Sequence, residues 1–400
     1  MSHVVVIGAG QAGQTLTATL RDGGFDGRIT LVGAEPEPPY QRPPLSKGYL
    51  LGDIARERLY LRPRAWYAER SIDLRLGQAA SDIDTAARTV RVGGGTLAYD
   101  TLALTTGLVA RTLPAEAGGT LEGVFTIRTL ADIDALEAPL RAAKHVLVVG
   151  GGYIGLEAAA VARTLGADVT VIESGPRILG RVASAPTADV MRRLHRAQGV
   201  DIRESVTLER LTGTGRVTGA MLADGTGIAA DLVIVGIGLL PRCAIAEAAA
   251  IETEGGVKVD ALGRTSAPHV WAAGDCASFP FRGARIRIES VQNAIDMGAA
   301  VARNILGAGA PYVPLPWFWS DQYDVKLQIA GLNTGYDRVI VRGDGLPVSH
   351  WYYRGEVLCA VDGVNDSRAY MVGKRLLEAG RSPDPDALTD PETDLKSLLT

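Results

Sequence analysis

The sequence predicts an α/β fold with two Rossmann-like βαβ units, followed by a C-terminal α+β domain with an antiparallel sheet. Two observations predict the first part. Residues 3–20 run from an apolar strand through a G-x-G-x-x-G turn into a helix, and residues 144–165 repeat that order. A third observation predicts the last part, because apolar and polar residues alternate from about Pro316 onward, as in a half-exposed antiparallel sheet.

The first unit has the residue types that hold a dinucleotide. A helix amino terminus offers free N–H groups and a partial positive charge to a pyrophosphate. Gly8 and Gly10 let the backbone approach the phosphates, and Gly13 lets the helix pack closely on the strand. Glu35, after the strand at residues 28–32, is placed to accept hydrogen bonds from an adenosine ribose.

The second unit repeats this pattern with Gly150, Gly152 and Gly155, so we expect two nucleotide sites. Its second strand, at residues 168–172, is followed by Glu173. A carboxylate there favours the 2′-hydroxyl of NADH and repels the 2′-phosphate of NADPH. Arg177, a few residues later, offers the alternative of binding that phosphate.

Further strands are predicted at residues 102–107, 232–238 and 270–275, each ending in small residues or an acid. Residues 291–300 and 367–379 are predicted to be helical. The last stretch contains Pro383, Pro385 and Pro391 and is predicted to be an irregular tail.

Composition excludes several classes of protein. The chain has 400 residues with 46% hydrophobic residues, enough for two or three domains with substantial cores. Its net charge of −4 argues against a general nucleic-acid binder. No secretory signal or membrane helix is predicted, and the five histidines lack metal-ligand spacing, so no metal site is expected. The three cysteines lie far apart, which argues against a disulfide framework and for a cytoplasmic protein.

The two glycine motifs and residues 273–277 (Ala-Gly-Asp-Cys-Ala) indicate a superfamily, and three further stretches indicate a family within it. They are residues 42–47 (Arg-Pro-Pro-Leu-Ser-Lys), 287–294 (Arg-Ile-Glu-Ser-Val-Gln-Asn-Ala) and 316–323 (Pro-Trp-Phe-Trp-Ser-Asp-Gln-Tyr). Over essentially its whole length the chain resembles the putidaredoxin reductase-like, NADH-dependent ferredoxin reductases of bacterial oxygenase systems, in the glutathione reductase superfamily. One departure from the superfamily pattern is Thr105-Thr106-Gly107, where Ala-Thr-Gly is usual.

The resemblance implies two dinucleotide-binding domains of the glutathione reductase type. FAD would be bound by residues 1–111 and 242–315, NADH by residues 112–241, and residues 316–400 would form a C-terminal interface domain. It also implies an enzyme that takes hydride from NADH onto FAD and passes single electrons to a [2Fe-2S] ferredoxin. That ferredoxin would supply an oxygenase such as a haem-thiolate monooxygenase.

The same resemblance assigns site residues. Lys47 would lie near the flavin and pair with Glu157, and Trp319 would lie beside the isoalloxazine, so these three are the candidate catalytic residues. FAD would be held by Gly8, Gly10, Ala12, Gly13, Glu35, Lys47, Ala80, Arg128, Gly274, Asp275, Val291 and Trp319. NADH would be held by Gly150, Gly152, Ile154, Gly155, Glu173 and Gly238. The amino terminus of the helix after Val291 is expected to stabilise negative charge on the reduced flavin.

Cysteine positions bear on the electron acceptor. No cysteine precedes Cys243, so the early segments and the second βαβ unit carry no redox thiol. Cys276 follows Asp275 and is predicted to be a small buried residue, so electrons are expected to leave the flavin directly. Four alternatives remain: a rubredoxin reductase, an NADH:oxygen oxidoreductase, a non-catalytic, nucleotide-gated flavoprotein, and a non-flavin binding module that uses one or both nucleotide sites as sensors.

An acidic ferredoxin needs a locally basic docking face. Arg282, Arg285, Arg287 and Lys326 are the main candidates, with Lys374 and Arg375 as further ones. The chain is expected to be a monomer or a weak dimer.

Overall fold

The computed structural model describes residues 2–399, which form two compact units. The first unit contains residues 2–41, 56–109 and 240–316. The second contains residues 42–55, 110–239 and 317–399. The predicted division into four functional segments, at 1–111, 112–241, 242–315 and 316–400, stays a prediction.

A five-stranded parallel sheet organises the first unit. Its strand order is Val270–Ala272, Thr101–Leu104, His3–Ile7, Arg28–Val32 and Ile72–Arg75. The helices Gln11–Asp22 and Val291–Ile305 pack against each other, and Leu16, Leu20 and Val301 are fully buried in the core. Because the strands are parallel, the first glycine turn (residues 8–13) lies at the carboxyl end of the central strand.

Smaller elements complete the first unit. Three antiparallel strands form one sheet: Ala80–Asp84, Thr89–Val92 and Gly95–Ala98. Another sheet contains Val257–Lys258, Ala277–Phe281 and Ala284–Ile286. The short helices are Arg56–Leu59 (3-10), Arg64–Glu69 and Ala244–Ala248. Two further short strands are Leu108–Ala110 and Leu239–Pro241.

The second unit contains another five-stranded parallel sheet, in the order Asp201–Glu204, Asp168–Glu173, His145–Val149, Leu232–Val235 and Val124–Phe125. The second glycine turn (residues 150–155) follows its central strand and leads into the helix Tyr153–Thr164. An antiparallel meander comprises Leu208–Thr214, Arg216–Leu222 and Gly227–Ala229. The remaining helices of this part are Pro43–Ser46 (3-10), Gly48–Leu51, Ala115–Ala117 (3-10), Leu130–Ala142 and Ala185–Ala197.

The C-terminal part of this unit is a five-stranded antiparallel sheet, as the alternation after Pro316 predicts. Its order is Trp317–Gln322, Val325–Gly331, Val357–Val364, Val348–Arg354 and Arg338–Arg342. The helix Ser367–Glu378 covers it, burying Ala369, Val372 and Leu376. The α/β class with a C-terminal antiparallel domain is thereby confirmed.

The prediction of an irregular tail is wrong. Residues Pro385–Thr389 form a helix and Leu395–Leu399 a 3-10 helix. Leu388 and Leu395 are buried in the core under the last long helix. The guanidinium of Arg342 donates hydrogen bonds to the carbonyls of Leu388, Asp390, Pro391 and Thr393. Proline content alone missed these contacts, because a few apolar side chains and one arginine fix the segment.

Within residues 2–399, no helix is both long and apolar enough to cross a membrane. Cys243, Cys276 and Cys359 are all buried and free of disulfides.

Candidate active site

The first glycine turn has no room for side chains at two of its glycines. Gly8 has φ +117°, and a Cβ there would lie 2.1 Å from the carbonyl oxygen of Thr105. A Cβ on Gly13 would lie 2.1 Å from the carbonyl oxygen of Gly8. The Thr105 hydroxyl also donates to that oxygen at 2.8 Å, so this departure from the usual Ala braces the turn.

Gly10 differs from its neighbours, because a Cβ there would meet no protein atom within 4 Å. It precedes the helix Gln11–Asp22, whose first turn carries no acidic residue. The helix amino terminus therefore opens onto free space, as an anion such as a pyrophosphate requires. Ala12 is buried beneath it, close to Gly274 and Gly298.

The other predicted FAD residues of the first unit lie at or next to the ends of strands and helices. Glu35 accepts a hydrogen bond from the Tyr40 hydroxyl at 2.5 Å, which orients its carboxylate. Asp275 follows the strand Val270–Ala272. Val291 begins the helix Val291–Ile305, which Ser290 caps by accepting from the Asn293 N–H at 3.1 Å. Ala80 begins a strand of the small antiparallel sheet and packs against the core.

The second glycine turn reproduces the first. Gly150 has φ +105°, and a Cβ there would lie 2.5 Å from the carbonyl oxygen of Gly236. A Cβ on Gly155 would lie 2.1 Å from the carbonyl oxygen of Gly150, whereas one on Gly152 would meet nothing within 4 Å. Ile154 lies in the first turn of the helix Tyr153–Thr164. Each turn therefore fits a dinucleotide pyrophosphate beside its middle glycine, Gly10 in the first turn and Gly152 in the second.

Glu173 ends its strand beside this second turn. Its Oε2 accepts from the N–H of Gly151 at 2.8 Å and its Oε1 from the N–H of Gly175 at 2.7 Å. Each carboxylate oxygen has further lone pairs for a ribose hydroxyl. Arg177 instead donates to the carbonyl of Ala183 at 2.8 Å, which commits part of its guanidinium within the protein.

Gly238 lies in the loop after the strand Leu232–Val235, with φ +106°. A Cβ there would lie 3.5 Å from a guanidinium nitrogen of Arg181 and 3.9 Å from Cδ of Arg111. This second-unit loop therefore brings two arginines towards the predicted NADH contact.

The structure brings Lys47 and Glu157 together. Lys47 Nζ lies 2.7 Å from Glu157 Oε2, with side chains 19% and 4% exposed. Glu157 is the fifth residue of its helix and is buried, so it is not an exposed charge of the first helical turn. A buried carboxylate at hydrogen-bond distance from an ammonium is a fixed charge pair rather than a surface contact.

Trp319 lies in the edge strand Trp317–Gln322 and is half-buried. Its ring centroid is 5.5 Å from that of Trp317, two residues away on the same face. Arg128 directly precedes the cap of the helix Leu130–Ala142, and its carbonyl accepts from the Arg42 guanidinium at 2.6 Å.

Sequence reasoning missed two residues that contact Glu157 and two that are linked to it through Ser320. The hydroxyl of Ser46 donates to Glu157 Oε2 at 2.5 Å, and that of Ser320 donates to Oε1 at 2.6 Å. Gln322 Nε2 donates to Ser320 at 3.1 Å, and His195 Nε2 lies 2.7 Å from Gln322 Oε1. Alternation in the strand was the available signal, since it places Ser320 and Gln322 on one face.

The thiols are poorly suited to redox chemistry. Burial raises the pKa of Cys243 to about 11. Burial likewise raises the pKa of Cys276, whose Sγ points to the carbonyls of Leu104 and Ala273. The pKa of Cys359 is also raised by burial. Because the thiolate is the reactive form, burial disfavours redox chemistry at all three thiols.

Family comparison agrees with this geometry. Residues 2–298 match the family described as pyridine nucleotide-disulphide oxidoreductase, and residues 317–399 match the one described as reductase C-terminal. A ferredoxin–NAD(P)+ reductase of a Sphingomonas species is 45% identical and covers 99% of this chain and 97% of its own length.

Solved structures agree as well. A ferredoxin reductase from Rhodopseudomonas palustris has a TM-score of 0.97 at 37% identity and covers 100% of both chains. The reductase in a covalent putidaredoxin reductase–putidaredoxin complex has a TM-score of 0.96 at 38% identity, covering 100% of this chain and 98% of that one. The chain therefore belongs to the pyridine nucleotide-disulphide oxidoreductase family and, within it, to the ferredoxin reductases.

Proposed function

We propose that this chain is an FAD-dependent NADH:ferredoxin oxidoreductase that supplies electrons to an oxygenase. The observation that carries the proposal is the pair of matched glycine turns, one in each compact unit. Each has two glycines without space for a Cβ and one that faces open space before a helix. Two such turns fit two dinucleotides, and relatives along the whole chain are ferredoxin reductases.

Residues of the first unit would hold FAD. The N–H groups after Gly10 bind the pyrophosphate, and Glu35, oriented by Tyr40, binds the adenosine ribose. When bound, FAD supplies a hydride acceptor that gives up its electrons one at a time, which nicotinamide cannot do. Lys47 places a fixed positive charge in the second unit, where the family resemblance locates the flavin contact.

Residues of the second unit would hold NADH. The N–H groups after Gly152 bind its pyrophosphate. Glu173 accepts hydrogen bonds from the ribose, and its negative charge repels a 2′-phosphate. The guanidinium of Arg177 donates one hydrogen bond to the carbonyl of Ala183, which leaves less of it for a 2′-phosphate and favours NADH.

The three buried thiols favour direct transfer from flavin to an outer protein. Disulfide reductases need a thiolate beside the flavin, and here burial keeps each thiol protonated. Electrons therefore leave without a cysteine relay.

The partner is a ferredoxin, and we propose a [2Fe-2S] one with an acidic face. Arg282 and Lys326 are exposed and available to it. Arg285 and Arg287 are half-buried. Arg285 donates to the carbonyls of Val259 and Ser278, and Arg287 donates to the carbonyl of Gly255 and to the Glu289 carboxylate. These two arginines hold local loops, so the docking proposal rests on Arg282 of the first unit and Lys326 of the second, each as a separate candidate contact. Reversing either charge on its own should raise the KM for ferredoxin and spare ferricyanide reduction.

An absorbance titration tests the function. The purified protein should show a flavin spectrum that NADH bleaches under anaerobic conditions, and added [2Fe-2S] ferredoxin should restore the oxidised spectrum and reduce cytochrome c. A rubredoxin–NAD+ reductase of Pseudomonas putida is 37% identical over 90% of this chain, so rubredoxin is the matched alternative acceptor. Faster reoxidation by rubredoxin, or by oxygen alone, would overturn the ferredoxin assignment. A colourless protein that takes up no FAD would overturn the enzyme itself.

A further inference from the structure

A chain of buried side chains runs from Lys47 to a histidine with no assigned role. It passes from Glu157 through Ser320 and Gln322 to His195. Ser320 and His195 are fully buried, and Gln322 is 1% exposed. This chain of hydrogen bonds joins the helices Tyr153–Thr164 and Ala185–Ala197 through the edge strand Trp317–Gln322. All three elements lie in the second unit.

The hydrogen bonds of this chain can point in only one direction while Glu157 is ionised. A carboxylate accepts and never donates, so the single hydroxyl proton of Ser320 goes to Glu157 Oε1. Ser320 must then accept from the amide NH₂ of Gln322, which turns the amide oxygen towards His195. His195 must in turn donate from Nε2, and burial lowers its pKa so that the neutral form prevails.

The opposite ring nitrogen agrees with this assignment. Nδ1 of His195 is buried and has no hydrogen-bond partner among the described residues. The other neutral tautomer would bury an Nδ1–H with no acceptor, and buried N–H groups without an acceptor are rare in native structures. The neutral histidine with its proton on Nε2 is thus the form that the site accommodates.

We infer that Ser320, Gln322 and His195 are positioning residues that hold Glu157 as a carboxylate and, through it, fix the ammonium of Lys47. The inference rests on the proposed function for its catalytic consequence, but its structural content does not. Ser46 and Lys47 both donate to Oε2, so a proton on Glu157 would go to Oε1. Its O–H would then donate to Ser320, the Gln322 amide would turn over, and His195 would carry its proton on Nδ1. The tautomer of His195 therefore reports the charge of Glu157 from the far end of the chain.

Nuclear magnetic resonance of the full-length protein labelled with ¹⁵N-histidine reads this tautomer directly. The His195 signals are assigned by their loss in His195→Gln. We expect a neutral ring protonated on Nε2 in the wild type, and a mixture of both tautomers in Ser320→Ala, where Gln322 loses its acceptor. A ring protonated on Nδ1, a charged ring, or a tautomer unaffected by Ser320→Ala would overturn the inference.

Stopped-flow reduction of the FAD-loaded protein tests the catalytic consequence. His195→Leu removes the donor, whereas His195→Gln retains an amide N–H near the position of Nε2. We expect hydride transfer at saturating NADH to slow about fivefold to tenfold in His195→Leu, the worth of roughly one hydrogen bond, with the Kd for NADH changed less than about twofold. His195→Gln should recover most of the rate.

His350→Leu is the matched control, since His350 is a buried histidine of the same unit that contacts Thr187 rather than this chain. Its hydride-transfer rate should stay within about twofold of the wild type. Equal slowing in both leucine variants, or a loss in His195→Leu that appears only as weaker NADH binding, would overturn the positioning role. A wild-type protein that takes no hydride from NADH would refute the proposed function and leave the tautomer result standing.

Discussion

Lys47 Nζ lies 2.7 Å from Oε2 of Glu157. The hydroxyl of Ser46, the residue before Lys47, donates to the same oxygen across a sequence separation of 111 positions. The carboxylate is 4% exposed, so these partners take the place of the water that would otherwise solvate it. The pair is therefore both a structural link within the second unit and the candidate charge beside the flavin.

Removing the cation should cost more stability than removing the pair. Lys47→Met leaves a buried carboxylate without its counter-ion, and we expect the free energy of unfolding to fall by about 3–5 kcal/mol. Adding Glu157→Gln should recover part of this loss, because the remaining amide is neutral. Urea unfolding of both variants measures the difference. A double variant less stable than Lys47→Met would contradict the account.

The glycine turns predict different outcomes for neighbouring alanine substitutions. Gly10→Ala should fold normally, since its Cβ meets no protein atom, but should bind FAD at least about tenfold more weakly because the methyl occupies the phosphate position. Gly13→Ala should instead destabilise the fold itself, because its Cβ would lie 2.1 Å from a carbonyl oxygen. Flavin content and thermal unfolding separate the two effects.

Gly94→Ala is the control for both, as a Cβ there meets nothing within 4 Å in a surface turn. It should retain wild-type stability and flavin content. Loss of flavin in this control as well would refute a specific role for Gly10.

Coenzyme choice should depend on Glu173. Glu173→Ala removes the charge that repels a 2′-phosphate, and we expect the ratio of kcat/KM for NADH over NADPH to fall by at least about tenfold. Steady-state kinetics with both coenzymes measures the ratio. An unchanged ratio would assign the discrimination to another residue.

A buried acid and a buried histidine should give opposite pH dependences of stability. Burial raises the pKa of Asp362 to about 7, so its folded-state contribution is present at low pH and is lost as pH rises from about 4 to 7. Burial lowers the pKa of His350 to about 4, so its contribution is present above pH 6.5 and is lost as pH falls towards 4. Both side chains bond Thr187, and in the wild type their slopes largely cancel.

Asp362→Asn should remove one of these slopes. Its stability relative to the wild type should increase by about 1.4 kcal/mol per pH unit between pH 4 and pH 7. Urea unfolding at three pH values in that interval measures it. A difference that is constant with pH would show that Asp362 is ionised throughout the range.

Cys276 should prove dispensable. Cys276→Ser retains a donor for the carbonyls of Leu104 and Ala273, and we expect NADH-driven ferredoxin reduction within about threefold of the wild type. Thiol reagents should also react slowly with the native protein, because all three cysteines are buried. A rate of ferredoxin reduction lower by several orders of magnitude in Cys276→Ser would instead indicate that a thiol relays the electrons.

Local patterns predicted the strands and the glycine turns well, because spacing within about thirty residues determines each βαβ unit. Both turns, the antiparallel sheet and the helix beginning at Ser367 follow from such patterns. The surroundings of Glu157 do not. Alternation places Ser320 and Gln322 on one face of their strand, but it does not name their partners. Ser320 lies 163 positions from Glu157 and Gln322 lies 127 from His195, so no local pattern predicts either contact.

Charge runs were the weakest guide to function. Arg282, Arg285 and Arg287 look alike in the sequence, yet backbone carbonyls and acids bind two of them and leave the first exposed. The partners of a long flexible cation depend on the fold around it.

The hydrogen bonds from Arg342 to residues 388–393 make this segment part of the C-terminal domain's structure. Shortening the protein after residue 380 would strip Leu388 and Leu395 from the underside of the last long helix and leave one guanidinium without its carbonyls.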